Sequence, residues 1–123
     1  MTETPEAPAG LAPRGSAFWA TVAGSYELAV AEVELLTEVC RSLDDVEALH
    51  RTVAAEGRTV AGSRGQPRAH PALAELRATR VVLGRLLAQL ELPDLDGASL
   101  PSPVQARGRR AARERWGDHR GSA

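Results

Sequence analysis

Leu36, Val39, Leu43, Val46, His50 and Val53 recur at alternating steps of three and four, which places them on one stripe of a helix. The stretch that carries them, Ala29 to Glu56, contains no Pro and no Gly, and Gly57 is placed to end it. At about 1.5 Å per residue this helix is roughly 42 Å long, more than one short partner from the same chain covers. Leu28, Leu35, Cys40 and Leu49 flank the stripe and widen it, which suits packing on two sides. The pattern predicts a long helix shared between an intrachain core and a subunit interface, with the six stripe residues forming that interface.

Shorter elements surround it. Phe18, Trp19, Val22 and Tyr26 are grouped at helical steps and predict a short helix over about residues 15–24. Aromatics could serve as a base-stacking platform, but no Arg is interleaved, and the spacing favours an anchor that pins this helix to the long one. Residues 1–13, rich in Pro and Ala without periodicity, read as a disordered leader. After Gly57, Thr59 and Val60 are β-formers, Gly62, Ser63 and Gly65 are turn-formers, and Pro67 blocks a helix, so a small β-hairpin or loop is predicted. Its Arg58, Arg64 and Arg68 suit either a solvated loop or a phosphate contact. His70 falls at an N-cap and Pro71 at the first position of a third helix that runs to Pro93. Leu73, Leu76, Leu83, Leu86, Leu87 and Leu90 give it an apolar face, the partner for the long helix in an antiparallel hairpin. Arg77, Arg80 and Arg85 on its sides read as solvated or Glu-paired in preference to a DNA contact, and Gly84 would permit close helix approach. Residues 14–93 thus form a helical core, 94–104 a linker and 105–123 an Arg-rich tail. The fold class is mainly α, an oligomeric helical assembly with disordered termini.

Composition sharpens this picture. With 123 residues and 3% aromatics, the chain is one domain with a thin aliphatic core, and thin cores favour oligomers. All fifteen basic residues are Arg, and Lys, Ile and Asn are absent, a bias of the kind a high-GC genome produces. Residues 1–104 carry nine Arg against fourteen acids, while 105–123 carry six Arg against two, so a net charge of −1 conceals an acidic body and a basic tail. Most of the acid lies on the long helix, whose outer face is a poor surface for nucleic acid. The cluster Arg107, Arg109, Arg110, Arg113 and Arg115, with Trp116 at its end, is the strongest nucleic-acid signal, since a mobile Arg arm neutralises phosphates without a preformed groove. A solvated tail, or an arm docking on an acidic protein, is the competing reading. Cys40 is the lone cysteine, which leaves no disulfide framework or metal cluster. No apolar run approaches a membrane span and no secretory segment is present, so a soluble, cytoplasmic protein is expected. Phosphate-loop, GxSxG, HExxH and CxxC motifs are missing, and Asp44 and Asp45 diverge by about 100° on a helix. No enzyme activity, metal or cofactor is expected.

The order of features resembles a known family. The aromatic first helix GSAFWATVAGSYEL, the long helix with ELLTEVC at its middle, the Gly-containing loop and AHPALAELRATRVVLGRLLAQLELP together resemble the small subunit of tailed-phage terminases, in the branch found in phages and prophages of high-GC bacteria. The similarity spans roughly residues 14 to 93. Family members commonly carry Asn-Pro where this chain has His70 and Pro71. They often end the last helix with a Leu-Gly-Leu-Thr-Pro type sequence, where this one has Leu90, Glu91, Leu92 and Pro93. The resemblance implies a non-enzymatic subunit that assembles into a closed homo-oligomeric ring, recognises the viral genome and regulates the large subunit, whose ATPase and nuclease cut and translocate DNA. Its partners would be other copies of itself, duplex DNA and the large terminase subunit, in the cytoplasm of a bacterial host. Two readings compete with it: a small helical DNA-binding regulator, and a structural helical oligomer with no nucleic acid role.

Overall fold

The computed structural model describes residues 3–93. Helix α1 spans Pro13–Ser25, α2 Val30–Glu56 and α3 Pro71–Leu90, and the strands β1, Thr59–Ala61, and β2, Pro67–Ala69, form a two-stranded hairpin between α2 and α3. The fold is mainly helical, and each predicted element is present. Helix α2, 27 residues and about 40 Å long, is the spine on which the others pack. Helix α3 runs back along it, and α1 lies against its first half.

All three helices meet at Leu36. It is fully buried beside Trp19, Val22 and Ala23 of α1, Cys40 of α2 and Leu90 of α3, with Phe18, Tyr26, Leu28 and Leu35 packed around the cluster. Trp19 is buried and its Nε1–H donates to the Pro5 carbonyl at 3.1 Å, while the Tyr26 hydroxyl donates to the Pro93 carbonyl at 2.6 Å. The aromatics are therefore anchors, and in the described part of the leader Pro5 and Leu11 both touch the core. A smaller cluster of Val53, Ala72 and Leu73, with Leu49, closes the other end of the helical hairpin.

The long-helix stripe has a different cover from the one its spacing suggested. Leu36, Val39, Leu43, Val46 and Val53 are all buried within the single chain. Two neighbours cover α2: α3 packs near both its ends, at Leu36 and at Val53, and α1 adds a second cover over its first half, so no second copy is needed to bury the stripe. His50 is the exception. It is exposed, and its Nε2 accepts from the Arg80 guanidinium at 2.6 Å. Helix α1 begins opposite Asp44 and Glu47, so beyond that level α2 is without this cover, and His50 lies there.

Each helix start solves the problem of its free N–H groups differently. At α1 the N-cap is Ala12, which has no side-chain acceptor. Both oxygens of Asp44 on α2 take over, one accepting from Ala12 N–H and the other from Gly15 N–H, each at 2.7 Å. These are the two donors that a local capping box satisfies, here satisfied across the tertiary contact and by a negative charge at the positive end of the helix dipole. At α2, Glu32 reaches back to the Ala29 N–H at 2.7 Å. At α3, the Nδ1 of His70 accepts from Ala72 N–H at 3.0 Å, and its Nε2–H donates to Glu56 at 2.9 Å. His70→Ala removes this cap and is expected to lower stability by about 1 kcal/mol, read as the shift of a urea or thermal midpoint.

Four acids of α2 are thereby committed to structure: Glu32, Asp44, Glu56, and Glu47, which pairs with Arg14 at 2.7 Å. Gly84 shows no close helix approach, since a Cβ built there meets nothing within 4 Å. The buried Cys40 thiol is pushed up to about 11 by desolvation and, second, by the charge of Asp44. A thiol that stays protonated in the fold but ionises in the unfolded chain adds stability that is complete below pH 9 and is lost as pH rises toward 11. The native protein should therefore lose on the order of 2 kcal/mol more than Cys40→Ala across that window, as measured by denaturant titrations at each pH.

Candidate nucleic-acid interface

Helix α2 ends at Gly57, whose φ of 88° turns the chain out of the helix while its N–H still donates to the Val53 carbonyl at 2.7 Å. The chain then enters β1, which pairs antiparallel with β2 in the register Thr59 with Ala69, Val60 with Arg68 and Ala61 with Pro67. The connecting loop is closed by Gly62 N–H to the Gln66 carbonyl at 2.7 Å and by Gly65 N–H to the Gly62 carbonyl at 3.0 Å. The Gln66 side chain adds a third tie, accepting from Arg64 N–H at 2.9 Å. At the base, His70 N–H donates to the Arg58 carbonyl at 2.8 Å, and the His70 to Glu56 contact joins the ends of α2 and α3. A two-stranded ribbon of this length is marginal alone. Here the ties at its tip and base hold it at the end of the helical hairpin.

Arg58 sits at the base of this ribbon, Arg64 near its tip and Arg68 on β2 opposite Val60. All three are exposed. Residues 57–69 contain no Asp or Glu, and among the described residues none of the three Arg forms an ion pair. The carboxylate nearest in sequence, Glu56, is engaged by His70. The outcome is an exposed hairpin with three positive charges that no carboxylate opposes among the described residues.

The other expected DNA contacts, Arg107, Arg109, Arg110, Arg113 and Arg115, lie outside the described residues, as do the 94–104 linker and Trp116. Among the described residues, no group of His, Cys, Asp and Glu is arranged to hold a metal ion, and no helix is long and apolar enough to cross a membrane. Of the third-helix arginines, Arg80 contacts His50, while Arg77 and Arg85 are exposed and have no carboxylate partner among the described residues. Sequence reasoning treated the α2 acids as one solvated face and missed that Asp44 and Glu56 build the helix starts. The available signal was the adjacent pair Asp44 and Asp45, which a helix must send in different directions.

A three-helix arrangement with an Arg-bearing hairpin before its last helix is what the comparison with known families meets. The family model described as phage terminase, small subunit, matches residues 18–96, well over half of the chain. The chain belongs to the phage terminase small subunit family. Membership gives this terminase small subunit a role in phage DNA packaging, a process whose general partners are DNA and the large terminase. No curated protein and no solved structure gives a significant match. The matched span begins inside α1, includes the whole hairpin and stops before the Arg-rich tail, so Arg58, Arg64 and Arg68 belong to the family region of the terminase small subunit.

Proposed function

We propose that this terminase small subunit is a non-catalytic adaptor that assembles into a closed ring, recognises viral DNA and regulates the ATPase and nuclease of the large subunit during packaging. DNA contact falls to two basic elements, the tail arginines Arg107, Arg109, Arg110, Arg113 and Arg115 first and the hairpin arginines Arg58, Arg64 and Arg68 second. The observation that supports this reading most directly is the exposed hairpin, which carries three guanidinium groups and no carboxylate. Phosphate oxygens are the ligands such groups take when no internal acid competes. The outer face of α2 carries Glu34, Glu38 and Asp45 and would repel the same backbone.

The test is the salt dependence of duplex DNA binding by the full chain. Each phosphate contact contributes about 0.9 to the slope of log K against log salt. Changing Arg58, Arg64 and Arg68 together to Ala should lower that slope by about 2 to 3, and changing the five tail arginines should lower it by about 4. A slope unchanged in both variants would remove DNA contact from these elements. Binding that is absent in the native protein at low salt would sink the DNA-recognition reading itself.

A further inference from the structure

The outer side of α3 carries an exposed aliphatic side chain between two arginines. Val81 is 55% exposed, and Arg77 and Arg85 stand one turn before and one turn after it on the same stripe. Ala74, Ala78 and Ala88 extend the same side, so backbone could approach it closely. Among the described residues neither arginine has a carboxylate partner. The ridge is thus an aliphatic knob between two arginines whose backbone positions are about 12 Å apart along the helix.

A complementary surface exists elsewhere on the same molecule. Where α2 and α3 meet, Asp45, Ala48, Leu49, Glu75 and Thr79 line a shallow cleft. Ala48 and Leu49 provide an apolar floor. Asp45 on the α2 wall and Glu75 on the α3 wall are exposed and unpaired among the described residues. The cleft thus offers one carboxylate on each wall for the two ridge arginines. A ridge crossing the helix pair would set one arginine against each wall and Val81 over Ala48.

We propose that Arg77, Val81 and Arg85 of one copy dock into the cleft of Asp45, Ala48, Leu49, Glu75 and Thr79 on the next copy, and that this head-to-tail contact builds the ring. The inference rests on the ring-forming adaptor reading and names its surface. A second copy is the occupant because knob and cleft occur on one chain in equal number with opposite charge. They are separate patches, so one copy's knob leaves its own cleft free for another copy, a heterologous contact that closes into a ring when the rotation between neighbouring copies divides a full turn. The α2 stripe is already buried inside the chain and is not available for this role.

The decisive experiment compares native masses of the full chain, Val81→Glu and Ala48→Arg by light scattering, with far-ultraviolet circular dichroism on each. Both positions are exposed, so helix content should be unchanged. The native chain should form an assembly larger than a dimer. Val81→Glu places an acid against Asp45 and Glu75, and Ala48→Arg fills the cleft with a charge that repels Arg77 and Arg85. Each variant alone should fall to the 13.0 kDa monomer. Mixed in equal amounts, they should associate again, because the intact cleft of the first meets the intact knob of the second. An assembly that survives either substitution with its mass unchanged, or a mixture that stays monomeric, overturns the proposed surface while leaving the ring reading standing. A native chain that is itself a monomer or a dimer overturns both.

Discussion

Gly15→Val should lower the melting temperature by about 15 °C, a substantial share of what a domain of this size has to lose. Even the first carbon of a side chain at Gly15 would sit 2.7 Å from the Cys40 carbonyl oxygen and 2.6 Å from the Asp44 carboxylate. The carbonyl belongs to the backbone of α2 and cannot step aside. Helix α1 would have to back away, and Asp44 would lose its bonds to Ala12 and Gly15. Overpacking costs about 1–3 kcal/mol and each charge-assisted bond about 1.5–3 kcal/mol, so a total near 3 kcal/mol is a modest expectation. At about 4–8 °C per kcal/mol for a domain of this length, that gives the stated shift.

A matched control separates this from the general effect of a helical glycine. Gly84 is also in a helix, yet nothing lies within 4 Å of its missing Cβ. Gly84→Ala should therefore stabilise by up to about 1 kcal/mol, through helix propensity alone. Gly15→Ala gains the same propensity and still should destabilise, because its single methyl already meets the carbonyl. If the two alanine variants shift the melting temperature in the same direction, the close approach of α1 to α2 is not what holds α1 in place.

The contrast between these glycines shows what the sequence could and could not convey. Element types and ends were legible because their causes are local: Gly57 stops α2, Pro71 after His70 starts α3, and the run of three-and-four steps marks α2 itself. Gly84 and Gly15 look alike in sequence, and only the fold shows that one faces solvent while the other faces a backbone carbonyl. Asp44 acts on residues 29 and 32 positions away, a separation no local motif encodes. The hairpin arginines were legible as a basic cluster. Whether an acid elsewhere in the fold would claim them was not, and among the described residues none does.

The stripe on α2 carries the same lesson further, because periodicity states which face is buried but not what buries it. Leu36→Asp distinguishes the two covers. Leu36 has no exposed surface and lies in one buried cluster with Trp19, Val22, Ala23, Cys40 and Leu90, where all three helices join. Removing a buried Leu side chain costs about 2–5 kcal/mol, and burying a carboxylate without a partner adds several more. The sum, roughly 5–10 kcal/mol, is comparable to the 5–15 kcal/mol that holds a typical domain together, and a small thin-cored domain sits at the low end of that range. Leu36→Asp should therefore lose most of its helical circular dichroism at 25 °C and show no cooperative thermal transition. Had the stripe been a subunit interface, the same change would leave a folded monomer with its helical signal intact. Val81→Glu should behave in that second way, since its site lies on the outer surface of α3. Charge in the stripe and charge on the ridge thus give opposite pairs of readouts, helicity lost in the first and assembly lost without helicity in the second.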